Sequence, residues 1–420
     1  MKPAGSASGR VARQTLVFLT ANGVGNAWIP AQVLGLQQSG LSVELHALRL
    51  PSSWHFRSGD ITDLARATHA VYPLAPGDFL RNITLAVRLW APELARIVTR
   101  GLLPGRDPWP QRVRALLHLP IAMHLAVRLR DRAGHVHADM AHSPATIALY
   151  TARLLGVGFT FMGHANDLFQ RRIALADKIR HARAVLCISS FHRDLYRELA
   201  ACDTRMEIVH LGVETSRFPL VDERPEAEPC HILSSGRLVA KKGFPILIEA
   251  CALLAARGHA FHCTIAGSGP LEAELRSLTR DRALGERLTI TGQPLAQEDL
   301  PEFMASGHLY CLPCVRAPDG DIDGLPVMLM EAMACGLPAV STRLVGIPDL
   351  IEDGHTGLLV EPGDAEGLAN ALEQLMLDRT RARKLGERGR ACVRERFDIT
   401  RMHEQLHAVF AELLREAVAP

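Results

Sequence analysis

Short apolar runs alternate with amphipathic stretches through most of the chain, and this narrows the possible folds more than any other feature. From residue 230 onward the order is CHILSSG, the helical FPILIEACALLAARGH, the strand-like FHCTIAG, the helical PLEAELRSLTRDRAL, then RLTITG, EDLPEFMASG, HLYCLPC, VMLMEAMACG, PAVST and GLLVEP. Strands joined through helices of this length run parallel, and a parallel sheet must be covered on both faces. The first half begins the same way: TLVFLT, the glycine loop ANGVGNAW, a helix closed by Gly40 and the strand LSVELHAL make one βαβ unit. It continues through ATIALYTARLLG, FTFMGH, AVLCISS and MEIVHLG. Residues 81–132 read as two helices rich in arginine and leucine, broken at GLLPGRDPWP.

At 420 residues the chain exceeds one ordinary core. The stretch SRFPLVDERPEAEPC, residues 216–230, is proline-rich, acidic and aperiodic, as a linker is. Two doubly wound α/β domains are expected, 1–215 and 216–398. The helix over about 399–420, opened by Asp398 as N-cap, extends past what the second domain needs and is expected to pack back on the first. A net charge of +2 gives no reason to expect nucleic acid as a partner. Nine cysteines, an odd number without secretory context, read as reduced thiols, and the Cys311–Cys314 pair lies in a run that reads as a buried strand. The segment MKPAGSASGRVARQ reads as a short basic arm rather than a signal peptide. With no apolar run of membrane-spanning length, a cytoplasmic protein is expected, peripheral on a membrane at most.

Ligands of doubly wound sheets sit at the carboxyl ends of strands, so the chemistry is sought in the loops there. The strongest signal is DGDIDGLPVMLMEAMACGLP, residues 319–338. Here GLP opens an apolar helix, so the N–H groups of Gly324, Leu325 and Val327 form an anion site suited to a diphosphate, while Pro326 donates nothing. Asp323 is placed to accept from sugar hydroxyls and Glu331, further into the helix, from a ribose diol. In SSGRLVAKKGF, Arg237 and Lys242 set two cations at a strand's end, with Lys241 as a solvated neighbour. The run FTFMGHANDLF puts His164 at another strand's end and Asp167 on the next turn, but one histidine among nineteen carries no role by itself. The loop ANGVGN, with Gly23 and Gly25, lacks the third glycine and the later ribose-binding acid of a dinucleotide fingerprint. It reads equally as a tight packing turn or as a phosphate-facing loop.

Taken in this order, and with IVHLGVETSRFP, IAGSGPLEAEL, LTITG and IPDLIEDGHTGLLVEPGD, these segments resemble glycosyltransferase family four, over nearly the whole chain and most strongly from residue 231 to 397. The run DGxxxGLPVxLMEAMA is similar to that of enzymes building bacterial exopolysaccharides of the colanic-acid type. The resemblance implies the GT-B fold, two Rossmann-like domains facing a central cleft. It implies a retaining transfer of a hexose from a nucleotide-diphosphate sugar to a glycan or lipid-linked oligosaccharide. By the same resemblance Arg237 and Lys242 hold the departing diphosphate, Glu331 the ribose, and Asp323 with the amides after it the sugar. His164 faces the donor sugar, Gly292 lies in the nucleobase loop, and Gly267, Gly23 and Gly25 join the donor-binding set. The family usually has glutamate where Asp323 stands, which bears on the choice of sugar.

No cofactor and no metal are expected, because Arg237 and Lys242 supply the charge a divalent ion would bring, although Asp319, Asp321 and Asp323 mimic a metal-binding pattern. The acceptor is expected on the first half, where the arginine-rich helices with Trp90 and Trp109 suit either contact with an anionic membrane or an ordinary solvated face. The rival readings are a sugar-nucleotide epimerase of similar fold and a non-catalytic scaffold that keeps the donor site.

Overall fold

Thirteen strands and the helices between them account for most of the computed structural model, which describes residues 15–26, 28–51, 59–103, 105–169, 172–220 and 229–416. The expected N-terminal arm and most of the expected linker lie outside the described residues.

The chain divides into two units. The first comprises residues up to 187, 193–209 and 403 onward; the second comprises 188–192 and 210–402. The first unit holds β1 (Thr15–Thr20), β2 (Val43–Ala47), β3 (His69–Ala70), β4 (Ala133–Asp139), β5 (Gly158–Gly163), β6 (Ala184–Cys187) and β7 (Met206–Ile208), ordered β3-β2-β1-β4-β5-β6-β7. The second holds β8 (Cys230–Ser235), β9 (Phe261–Ala266), β10 (Leu288–Ile290), β11 (Leu309–Leu312), β12 (Ala339–Thr342) and β13 (Leu358–Val360), ordered β10-β9-β8-β11-β12-β13. Every pairing is parallel. Each order reverses direction once, between β1 and β4 and between β8 and β11, as a doubly wound sheet does. The central strands are buried on both faces, so their sequences run apolar without alternation.

Two expectations need correction. Residues 112–132 do not form one helix. Trp109–Leu116 and Leu119–Leu129 are separate, because Pro120 in the first turn of the second has no N–H to continue the ladder. The chain then enters β4, a central strand that the sequence reading passed over. Its His135 and His137 both bond the Thr160 hydroxyl and both face the Phe410 ring, at 6.2 and 5.0 Å. Phe410 lies on the last helix, Ile399–Glu416, whose residues from His403 onward belong to the first unit. There His403 reaches the Ala31 carbonyl at 2.9 Å, and Glu412 takes two bonds from Arg205.

Candidate functional site

In the second unit, the loops leaving β8 and β11 depart on opposite sides of the reversal point, which opens a crevice at the carboxyl ends of these strands. The loop after β8 runs through Gly236 and Arg237 into a short 3-10 turn, Ala240–Lys242, that ends at Gly243. Gly243 has φ +69°, and a Cβ there would overlap the Pro313 carbonyl oxygen. Only glycine lets these two loops touch. Gly267, after β9, is fitted in the same manner against the Gly236 carbonyl.

That contact brings the predicted charges together. Lys242 Nζ lies 2.6 Å from Asp323 Oδ2, and Lys241 Nζ lies 3.1 Å from both Asp323 Oδ1 and Asp321 Oδ2. Lys241 is therefore not a solvated neighbour: its side chain is 13% exposed and it shares the carboxylate of Asp323 with Lys242. Burial pushes the Asp323 carboxyl up, but Lys242 and Lys241 outweigh it and hold the group below its ordinary range. Burial likewise pushes the Lys242 ammonium down, and Asp323 more than restores it, while Arg237 is near enough to act against it. Cys314 points its thiol at Asp323 Oδ2, 3.7 Å away, and burial keeps that thiol and the one on Cys311 protonated.

The helix after this loop is Val327–Ala334, with Pro326 as an extended N-cap. Gly324 accepts a backbone bond from Gly346 at 3.0 Å. Among the described residues the N–H groups of Gly324, Leu325 and Val327 have no acceptor. Glu331, on this helix, is 3% exposed, and its Oε2 has no hydrogen-bond partner among the described residues. Burial raises its carboxyl to about 7, against the charges of Arg217 and Lys242. A buried carboxylate without donors is costly unless something supplies them, which makes Glu331 a receptor for hydroxyl groups. Gly292, with φ +68°, follows β10 and abuts Glu272 and Arg276. The sequence reading missed Lys241 as a partner and missed Arg217, although both lie within the quoted runs SSGRLVAKKGF and IVHLGVETSRFP.

In the first unit, His164 follows β5 and its Nε2 bonds Asp139, the last residue of β4. Asp139 also accepts from Trp28 Nε1 at 2.9 Å. Burial pushes the His164 imidazole down, but Asp139 outweighs burial and holds it above its usual value. Asp167 accepts from the N–H groups of His164 and Ala141, at 3.0 and 2.7 Å, and so fixes the turn after β5. Neither Asp139 nor Trp28 was singled out from sequence. Gly23 and Gly25 form a 3-10 turn after β1, in which Gly23 bonds the Thr20 hydroxyl at 2.8 Å and packs on Ala47 and Thr68. Among the described residues, the one His/Cys/Asp/Glu group spaced to hold a metal is Glu44, His46 and His69 at the β2–β3 edge, where Glu44 already pairs with Arg132. The aspartates of the 319–323 loop do not form such a group.

Residues 221–391 match the family described as Glycosyl transferases group 1. The chain is 36% identical to the amylovoran biosynthesis glycosyltransferase AmsK of Erwinia amylovora over 219 residues, 50% of this chain and 53% of that protein. It is 31% identical over 278 residues to WcaL of Salmonella typhimurium, a protein named as a glycosyltransferase of colanic acid biosynthesis, covering 64% of this chain and 68% of WcaL. Among solved structures, a glycosyltransferase from Rickettsia africae superposes with a TM-score of 0.70 at 15% identity over 96% of this chain and 99% of that one. Anabaena HepE in complex with UDP superposes with a TM-score of 0.69 at 16% identity, over 95% and 100%. The parallel sheets, the loops at their reversal points and these similarities lead to one assignment: the chain belongs to the group 1 glycosyltransferases, glycosyltransferase family four, and has their GT-B fold.

Proposed function

We propose that the protein is a retaining hexosyltransferase of exopolysaccharide biosynthesis that uses a nucleotide-diphosphate sugar and no divalent ion. The observation that carries the reading is the buried assembly of Lys241, Lys242 and Asp323 beside an unsatisfied Glu331. In the free protein Asp323 and Asp321 together balance the charges of the two lysines. An arriving diphosphate competes for these cations and gains the unpaired amides after Gly324, leaving Asp323 to turn toward the sugar hydroxyls. Glu331 accepts from the ribose diol once it ionises. As the bond from sugar to diphosphate breaks, negative charge grows on the leaving oxygen, where Arg237 and Lys242 stabilise it. His164, held by Asp139, serves the transfer step on the sugar. The relatives are named for exopolysaccharides, and HepE was solved with UDP, which makes UDP-sugars the first donors to try.

The acceptor is assigned to the first unit, as a glycan or a lipid-linked saccharide. Residues 81–132 make peripheral contact with an anionic membrane, and no described helix is long and apolar enough to cross one. The test is a thermal-shift screen of nucleotide sugars, followed by turnover in excess chelator and NMR of the product's anomeric centre. A glycosylated product of retained configuration, formed without metal, is expected. An altered nucleotide sugar with no transfer would make the protein an epimerase, and loss of turnover in chelator with rescue by manganese would remove metal independence.

A further inference from the structure

Of the twelve large apolar side chains most exposed among the described residues, eight fall between Leu80 and Leu117. They sit on or just after the helices Pro76–Leu102 and Trp109–Leu116. Residues 76–117 also carry seven arginines against three acidic residues, so this short stretch holds more net positive charge than the whole chain. Apolar and basic side chains sharing one face suit an anionic bilayer surface.

The same helices border a cavity of about 270 Å³ that lies wholly within the first unit. Four arginines line it, Arg100, Arg106, Arg112 and Arg180. Two carboxylates line it as well, Asp107 and Asp177, so the arginines exceed the acidic groups by two. Asp107 accepts from the backbone N–H groups of Ala176 and Asp177, at 3.1 and 2.8 Å. Asp177 pairs with His181, another lining residue, at 3.3 Å, and lies within electrostatic reach of Arg100, which meets the same imidazole at 2.7 Å. Arg112 donates to the Arg100 carbonyl and Arg180 to the Ala200 carbonyl, contacts that hold the guanidinium groups without neutralising them. Arg106 makes no ion pair among the described residues.

The apolar rim is joined directly to this cavity. Leu103 lines it and is 54% exposed, and the Trp109 ring, 53% exposed, lies 5.6 Å from the Arg112 guanidinium. A concave site in which four arginines outnumber two carboxylates takes a phosphate, since guanidinium forks match its oxygens. A rim of exposed leucine and tryptophan takes acyl or prenyl chains at a bilayer surface. We infer that the Arg100–Arg106–Arg112–Arg180 cavity binds the phosphate or diphosphate head of a membrane lipid, whose chain leaves past Leu103 and Trp109. The inference rests on the proposed lipid-linked acceptor and gives its phosphate a place.

The probe is sedimentation of the full chain with vesicles of phosphatidylcholine alone or doped with phosphatidic acid, with UDP binding measured in parallel by calorimetry. The chain should pellet with phosphatidic acid and not with phosphatidylcholine alone. Arg106→Ala should weaken that partitioning about fivefold, and Arg106→Glu more, with the melting temperature and UDP affinity unchanged. Leu103→Ser with Trp109→Ser should weaken it at any salt concentration. Binding unaffected by both Arg106 variants, or equal binding to the neutral vesicles, overturns the site. Capture of soluble pyrophosphate by wild type but not Arg106→Ala, with no vesicle binding, overturns the lipid and leaves a site for free phosphate. A chain that transfers sugar yet ignores phosphatidic acid loses this site and keeps its transferase assignment; one that pellets with vesicles but binds neither UDP nor GDP loses the donor reading instead.

Discussion

Glu331 bears a cost in the free protein that ligand binding is built to remove. Its carboxyl is raised to about 7, so between the ordinary value and that point the folded chain holds a proton the unfolded chain has released. Stability then falls as pH rises through this window, and by pH 8 an ionised, partnerless carboxylate is buried. Glu331→Gln should flatten that slope and raise stability at pH 8 by about 1–3 kcal/mol, seen as a higher Tm, while abolishing turnover. Asp323→Asn has the opposite sign, because it leaves Lys241 and Lys242 close together without their shared anion. The free protein should lose about 3 kcal/mol, the scale for breaking a buried pair. Saturating UDP should then raise Tm more in the variant than in wild type, since the diphosphate replaces the missing charge. Equal shifts would show that the diphosphate does not meet these lysines.

At the scale of elements, the site depends on two loops from strands far apart in sequence being allowed to touch. Gly243→Ala should push the loop after β8 off Pro313, costing about 1–3 kcal/mol and at least tenfold in UDP affinity by calorimetry. The sequence made these loops legible because GRLVAKKG and DGLPVMLMEA each hold charged residues and glycine between an apolar strand and a helix. It could not show that Lys241 turns inward, since adjacent lysines look alike until a turn sets their directions. The strand β4 was missed although its sequence carries a strand signal. In AGHVHAD the histidines alternate with small apolar residues, the pattern of a strand with one wet face. That face is dry because a helix some 270 residues later covers it, and burial pushes the His135 imidazole down to about 3. Overlooking β4 meant overlooking Asp139 at its end, and with it the partner of His164.

Across the whole molecule, two sheets of one winding serve different ends. The second carries the clustered charges proposed for the donor, and the first carries the basic, apolar face proposed for the acceptor. Because the units have separate cores, damage to one need not disable the other. Phe410→Ala should remove about 3–4 kcal/mol from the first unit, read by urea denaturation, with UDP affinity unchanged. A fall in UDP affinity of the same size would mean the two units unfold together. The return of the last helix to the first sheet also bears on synthesis. Chains emerge from the ribosome amino end first, and N-terminal domains usually fold while the rest is still being made. Here one surface of the earlier sheet stays bare until the helix Ile399–Glu416 has been made. The later unit can close before the earlier one, and loss of that helix would injure the half that was translated first.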